Sequence, residues 1–373
     1  MRLCVFPNDP IIAYYKKGEI KDRYYNPNNF FDEVHVISFI ETDVDESKVQ
    51  SIVGNAKLKI HSVGNINLKN RKKSVERIKL LVKEIKPDII RSYNPLVEGW
   101  FASICAEELK IPFYLSLHTQ YDRLRALYKK SNLKKYMVLK YTERFIEPIV
   151  LKKADKITIV YKIIEPYVIK HGGKKPELLY NRINCEQFSH GSSLENIKIP
   201  LIISVGSLIE EKNHQCIIKA MNYVDANLLI IGDGKLYDKL MNLIHEEGLD
   251  SKVTIKKSVP NNEIQNYYKS AQVFALAYDT ALEGLPMPVM EAMASGLPVM
   301  IPFPKKEFSD GLEGIVLFSD RNTSSFAQNM NKVLQNHDLH KELSQRSVNK
   351  ARDFDSSLIE KREAEIYSEL LNK

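Results

Sequence analysis

Short apolar runs alternate with longer stretches of helical periodicity along almost the whole chain, and the alternation restarts after a polar, turn-rich segment, Ser189-His190-Gly191-Ser192-Ser193. Short apolar runs bounded by turns suit strands covered on both faces, and strands alternating with helices build parallel sheets. In the first half the strand candidates are Arg2 to Phe6, Glu33 to Phe39, Asp88 to Ser92, Pro112 to Leu117 and Lys156 to Val160, with helical periodicity at Val75 to Ile85, Glu98 to Leu109 and Lys129 to Leu151. In the second half they are Leu201 to Val205, Asn227 to Ile231, Val253 to Lys256, Val273 to Ala277, Pro298 to Ile301 and Ile315 to Phe318, with helices at His214 to Met221, Lys235 to Glu247, Glu263 to Ala271 and Pro288 to Ala294. The pattern predicts an α/β protein of two doubly wound domains, 1–190 and 191–355, followed by a C-terminal segment, 356–373, whose helix near Ser357 to Leu371 is expected to cross back to the first domain. A chain of 373 residues has the length for two such cores.

Composition narrows the class. Apolar residues at 44% and charged residues at 27% belong to ordinary globular proteins and exclude a disordered or fibrous chain. Cys4, Cys105, Cys185 and Cys216 form no CxxC pair and no cluster with histidine, which argues against a disulfide framework or a structural zinc and fits a reducing cytosol. No signal-like leader and no long apolar run occurs, so a cytoplasmic protein is expected. The net charge of +7 is concentrated: Arg123, Arg125, Lys129, Lys130, Lys134, Lys135 and Lys140 stand against Asp122 alone. A nucleic-acid binder of this size would be basic over more of its length, so no nucleic-acid partner is expected. Tyr128, Leu133, Met137, Val138 and Tyr141 interleave with these lysines, a mix that suits an anionic membrane surface through 123–140, or equally a solvated helix face packed on its apolar side.

Chemistry concentrates in the second half. All the glycines except Gly18, Gly54, Gly64 and Gly99 lie between Gly172 and Gly314, where backbone is best able to approach a ligand. The segment Glu283-Gly284-Leu285-Pro286-Met287-Pro288 opens a helix that should end at Gly296, because proline is favoured at a helix start and glycine just past its end. Amides in the Gly-Leu-Pro turn then sit at the positive end of the helix dipole, ready for a phosphate, while Glu283 and Glu291 offer carboxylates to hydroxyl pairs. Phosphate with hydroxyls describes a sugar nucleotide. The same residues on spacing alone also describe a capped helix with solvated acids.

The wider pattern resembles the Glu-x7-Glu signature of retaining glycosyltransferases of family 4, whose fold is GT-B: two Rossmann-like domains facing across a cleft. Val205-Gly206-Ser207-Leu208 with Lys212-Asn213 resembles the strand and loop that grip the donor diphosphate. Ile231-Gly232-Asp233-Gly234 resembles the next strand end, and Tyr180-Asn181-Arg182-Ile183-Asn184 with Phe188 the entry to the second domain. The resemblance covers roughly Pro176 to Val299 well and the first domain loosely.

It implies a metal-independent, retaining hexosyltransferase that uses no cofactor beyond its nucleoside diphosphate sugar donor. Glu291 would take the ribose hydroxyls, Glu283 those of the transferred sugar, and Gly284, Leu285 and Pro286 would approach sugar or phosphate. Lys212 would neutralise the leaving diphosphate beside Gly206, Ser207 and Gly232, since charge builds on the β-phosphate as the glycosidic bond breaks. His118, just after the strand ending at Leu117, would touch the donor sugar. Relatives of this kind often use lipid-linked or glycan acceptors, which places the protein in the cytoplasm with a possible peripheral position on the inner membrane face.

Two departures stand out. Ser207 occupies a position where the family usually has arginine, with Arg182 the candidate to compensate, and Pro7-Asn8-Asp9-Pro10 replaces the usual glycine pair of the acceptor loop. Asp43 and Asp45 fall in a loop outside the motifs. Tyr24 to Phe31, and Tyr93-Asn94 at the end of another strand, are candidates for lining the acceptor side or for core packing. These departures keep two alternatives open: a nucleotide-sugar epimerase of the same fold, and a non-catalytic partner subunit of another glycosyltransferase.

Overall fold

The computed structural model describes residues 1–194 and 200–372. The chain divides into two compact units, Met1–Tyr180 with Ile359–Lys373, and Asn181–Leu358. The division falls at Tyr180 rather than at the expected linker near Ser189. The short helix Cys185–Ser189 is tied to the second unit by Phe188, whose ring lies 5.8 Å from Tyr268, and by a Gln187 side-chain bond to the Asn261 carbonyl at 3.0 Å.

The first unit holds a sheet of 7 strands in the order β3-β2-β1-β4-β5-β6-β7. They are β1 Arg2–Phe6, β2 Glu33–Ser38, β3 Lys57–Ser62, β4 Ile89–Ser92, β5 Phe113–Leu117, β6 Lys156–Ile159 and β7 Glu177–Leu178, all parallel. Their buried faces carry Leu3, Val5, Val34, Val36, Ile89 and Leu115, the apolar runs that made the strands readable. The periodic stretch Lys129 to Leu151 is three helices, Tyr121–Ser131, Leu133–Phe145 and Glu147–Lys153. Asn132 breaks the first junction: its backbone is extended (φ −156°), and its side chain accepts from the Lys135 N–H to start the next helix. Asp43 and Asp45 serve the backbone. Asp43 accepts from the N–H groups of Ile11 and Ile12 at 2.9 and 2.6 Å, capping the helix Ile11–Lys17, and Asp45 accepts from Ser47 N–H at 2.9 Å.

The helix Ser356–Leu371 completes this unit, with Ile366, Tyr367 and Leu370 buried in its core. Arg91, 4% exposed on β4, pairs with Glu363 of that helix, donates to Tyr367 Oη at 2.5 Å and Ser116 Oγ at 3.0 Å, and lies 4.4 Å from the Tyr93 ring centroid. Arg23 binds Glu360 through two nitrogens at 2.8 and 3.0 Å. Buried charges are stable only when paired and hydrogen-bonded in this way.

The second unit holds a parallel sheet of 6 strands, β10-β9-β8-β11-β12-β13. These are β8 Leu201–Val205, β9 Asn227–Ile231, β10 Val253–Lys256, β11 Val273–Ala275, β12 Val299–Pro302 and β13 Leu317–Ser319. Its core joins strand residues such as Ile202, Leu228 and Ala275 to Ile217, Leu240 and Phe326 from the helices. In both sheets the winding reverses beside the first strand, between β1 and β4 and between β8 and β11. Doubly wound sheets bind ligands outside the carboxyl ends of the strands at such a switch point.

Candidate active site

Loops leaving β8 and β11, the strands that flank the second switch point, carry most of the residues singled out by sequence. Gly206 (φ 153°) ends β8, and Gly232 follows β9. A Cβ at Gly232 would stand 2.0 Å from the Gly206 carbonyl oxygen, so only glycine lets these strand ends touch. Ser207 enters here, with its carbonyl accepting from Ile209 N–H at 2.9 Å. His214 supports the loop from below. It is buried, its Nε2 lies 3.2 Å from the Gly206 oxygen, and its Nδ1 lies 3.2 Å from Ser204 Oγ. Burial holds its imidazole down to about 4, so it is neutral, with Nε2–H donating to Gly206 and Nδ1 accepting from the hydroxyl.

Lys212, 8% exposed, runs along Gly206, where a Cβ would meet its Cδ at 3.5 Å. Its ammonium donates to Glu283 Oε2 at 2.6 Å, which joins the loop after β8 to the loop after β11. Backbone reinforces that join. Asp279 N–H donates to the Glu211 carbonyl at 2.8 Å, and Arg321 donates to the same carbonyl at 3.1 Å and to that of Ala277 at 2.8 Å.

Beyond Glu283, the buried Tyr278 hydroxyl donates to the Gly284 carbonyl at 2.8 Å. Carbonyl and N–H lie on opposite sides of a trans peptide, so this bond turns the Leu285 N–H away from Tyr278. Pro286 caps the helix Met287–Ala294, and Gly296 (φ 82°) follows its end, as the sequence predicts. Glu291 sits inside that helix, and Tyr268 Oη donates to its Oε2 at 2.9 Å. Arg182, half-buried, lies on the stretch that opens the second unit, next to Ile183, which bridges to Asp355.

The first sheet places His118 at the exit of β5, its ring 5.6 Å from Tyr93 at the exit of β4. Burial, with Arg91 adding to it, holds the imidazole down to about 3. Tyr24 stacks on Tyr93 at 5.6 Å and packs against the core that buries Tyr25 and Phe31, which is the core packing weighed for this aromatic stretch. Asn94 bonds to Asn8 at 3.3 Å, and burial pushes Glu98, in the first turn of the helix Val97–Leu109, up to about 7.

Of the basic segment, Arg125 turns inward. It is buried against Glu147 at 3.0 Å and Asp122 at 2.6 Å, and is no part of a surface. Asp122 and Glu143 gather beside His171, with Arg125 and Lys170 already engaging both carboxylates. Lys129, Lys130, Lys134, Lys135 and Lys140 are exposed, along with Leu133 (66%), Met137 (60%), Tyr141 and Phe145 (50%). These four apolar residues recur at helical i, i+4 spacing along one face. Among the described residues no helix is long and apolar enough to cross a membrane.

Sequence reasoning missed His214, Tyr268, Tyr278 and Arg321. Tyr268 left a legible signal, a tyrosine on the inward face of a short helix whose hydroxyl must find a partner when buried.

Two doubly wound parallel sheets, with glycine-lined strand ends and a lysine–carboxylate pair at the second switch point, define the GT-B class. The comparisons agree. A glycosyltransferase from Rickettsia africae superposes with a TM-score of 0.73 at 16% identity, covering 100% of this chain and 98% of that one. Anabaena HepE, in complex with UDP and glucose, gives a TM-score of 0.73 at 16% identity over 98% and 99% of the two chains. The family model for glycosyl transferases group 1 matches residues 186–352, and that for glycosyltransferase family 4 matches residues 32–187. The chain belongs to this group 1 and family 4 class of glycosyltransferases. A Campylobacter jejuni N-acetylgalactosaminyltransferase named for an undecaprenol-diphosphate-linked sugar acceptor is 32% identical over 190 residues, 49% of this chain and 50% of that protein. This chain thus spans about half the length of that relative. An alpha-monoglucosyldiacylglycerol synthase from Acholeplasma laidlawii is 23% identical over 80% of this chain and 79% of its own.

Proposed function

We propose that the protein transfers a hexose-type sugar from a nucleoside diphosphate donor to a lipid-linked or glycan acceptor with retention of configuration and without a metal. The observation that carries this reading is the 2.6 Å contact between Lys212 and Glu283 at the switch point, with the Leu285 N–H turned away from Tyr278. An ammonium has three donors; one engages Glu283, and two are left for phosphate oxygens. As the bond from the anomeric carbon to the phosphate oxygen breaks, the fixed cation and the amide at the helix start stabilise the charge that develops. The acceptor oxygen attacks on the same face and passes its proton to the departing phosphate. Glu283 orients the sugar, Glu291 the ribose. Gly206, Ser207 and Gly232 let the diphosphate approach the backbone, with Gly284 and Pro286 shaping the turn. Arg182 is the side chain to test as a further cation in place of the arginine that Ser207 replaces. His118 stands at the exit of β5 in the first unit as a neutral imidazole, as the family resemblance asks of it.

The relatives' names, one carrying an undecaprenol-linked sugar and the other a monoglucosyldiacylglycerol product, favour a lipid-borne acceptor. The stripe Leu133, Met137, Tyr141 and Phe145, flanked by exposed lysines, supports docking on an anionic bilayer by combined apolar and electrostatic contact.

Thermal-shift screening against a panel of UDP, GDP, ADP and CDP sugars is the direct test, since a bound donor raises the melting point by mass action. One activated sugar should stabilise the chain, and the transferred product should keep the donor's anomeric configuration by NMR. A chain that binds none of them refutes the reading and returns the partner-subunit alternative. Sedimentation with acidic vesicles should be lost when Lys129, Lys130, Lys134 and Lys135 are changed to Glu; equal pelleting refutes the docking surface.

A further inference from the structure

Arg71, Arg91, Arg125 and Lys212 are the buried lysines and arginines among the described residues. Three of them face a carboxylate: Arg91 meets Glu363, Arg125 meets Glu147 and Lys212 meets Glu283. Arg71, 9% exposed, has no carboxylate partner among the described residues. Its Nη1 donates to the Leu68 carbonyl, its Nη2 donates to Tyr141 Oη at 3.0 Å, and its Nε finds no acceptor. The guanidinium lies 5.3 Å from the Trp100 ring centroid and 5.5 Å from that of Tyr141. Leaving a buried charge unmatched is costly, and aromatic faces offset only part of that cost. Arg71 also opens the helix Arg71–Ile85, 15 residues long. Its first turn holds no acid, Asn70 gives it no side-chain cap, and the exposed Lys72 and Lys73 come next. Positive charge at a helix start opposes the dipole, and the amides there favour an anion.

We propose that this arrangement is a site for the headgroup phosphate of an anionic phospholipid, gripped by the Arg71 fork, the Tyr141 hydroxyl and the start of the helix Arg71–Ile85. The inference rests on the reading of the stripe from Leu133 to Phe145 as a membrane-docking face, and it names the lipid group that this face would hold. Tyr141, 42% exposed, belongs to both. Its ring stands in the stripe, and its oxygen accepts from Arg71, which leaves its own hydrogen to donate to phosphate. Two of the five guanidinium N–H groups are engaged, so the fork retains donors for phosphate oxygens. Trp100, half-buried on the helix Val97–Leu109, adds the kind of ring that settles with tyrosine at headgroup depth. A phosphodiester would complete the charge pairing that Arg91, Arg125 and Lys212 find inside the protein.

The test compares sedimentation with digalactosyldiacylglycerol vesicles, neutral and free of phosphate, against the same vesicles carrying phosphatidylglycerol. Wild type should favour the phosphatidylglycerol vesicles, and Arg71→Gln should lower that preference by about tenfold or more, the worth of a hydrogen bond to a charged group. Lys72→Gln, which removes one exposed charge, should lower it by about fivefold at most. In about 1 M salt, where the Debye length is about 3 Å, Lys72→Gln should match wild type while Arg71→Gln keeps its deficit. Trp100, the chain's single tryptophan, reports locally: its emission should shift on phosphatidylglycerol vesicles in wild type and stay put in Arg71→Gln. If wild type shows no preference, the docking reading fails and takes this inference with it. If the preference survives intact in Arg71→Gln, docking stands and the phosphate site is overturned. If Arg71→Gln loses binding to both kinds of vesicle in proportion, Arg71 only holds the stripe in place, and the site is overturned as well. A Trp100 shift saturated by inorganic phosphate alone would assign the site to free phosphate and overturn the lipid source. Should Arg71→Gln fail to fold, Arg71→Lys decides: it keeps the charge and loses the fork, so an undiminished preference overturns the site.

Discussion

At the switch point of the second sheet, main chain meets main chain: Gly206 and Gly232 touch, Tyr278 turns a peptide, and one ammonium completes the arrangement. At the switch point of the first sheet the corresponding loops offer side chains: Asn8 with Asn94, Tyr24 stacked on Tyr93, and His118 beside Tyr93. A site built from backbone and glycine suits a group that every donor shares, such as a diphosphate, and keeps a recognisable pattern. A site built from side chains can be rewritten for each acceptor, because specificity resides in a few contacts. The contrast explains why the motifs of the second unit read clearly while Pro7-Asn8-Asp9-Pro10 fits no familiar loop.

The contrast can be broken from either side. The largest effect should come from Arg91→Met in the first unit, which leaves Glu363 buried and unpaired and should cost about 3–5 kcal/mol. The melting point should fall steeply, while the shift produced by a bound nucleotide should persist if, as proposed, that site belongs to the second unit. Lys212→Ala should do the reverse: turnover should drop by about 10²–10³-fold, the loss seen when one preorganised group at developing charge is removed, with the melting point nearly unchanged. Gly232→Ala forces a Cβ against the Gly206 oxygen and should cost about 1–3 kcal/mol together with nucleotide affinity. Alanine at Gly18, whose Cβ would meet open space, pays only the strain of its left-handed backbone. Both effects can be read by calorimetry with and without nucleotide.

Acid should act on the two units alike. Burial holds His35 and His214 down to about 4, against an ordinary 6.5. Their folded-state values are depressed, so the unfolded chain takes up protons first as the pH falls. Stability is complete above about pH 6.5 and declines between there and about pH 4. His214→Gln should flatten the part of that decline due to the second unit in a melting curve against pH, and a decline that is unchanged would show that His214 is no contributor.

Strand and helix positions were legible wherever strands are fully buried, because Arg2–Phe6 or Leu201–Val205 read as continuous apolar runs, whereas the strand order was not read from the sequence. The edge strand β3 escaped: Lys57, Lys59, His61 and Ser62 give it no such run. β7 is too short to read, at 2 residues. In the site, Lys212, Glu283 and Glu291 stood out as charges set among glycines and prolines. The groups that hold them did not, since His214, Tyr268 and Tyr278 resemble core residues until their hydrogen bonds are seen. The seven basic residues of 123–140 read as one surface, yet Arg125 is spent on Glu147, a partner that its neighbours in sequence do not reveal.

The helix Ser356–Leu371 has a consequence for biosynthesis. Arg91 and Arg23 receive their partners Glu363 and Glu360 only after every residue of the second unit has left the ribosome. The earlier-made sheet must therefore wait with the buried Arg91 and the half-exposed Arg23 unmatched, while the later-made unit has all its segments in hand first. A nascent chain halted before this helix would carry an unfinished amino-terminal half, making it a client for chaperones or proteases even though its carboxy-terminal sheet is already whole.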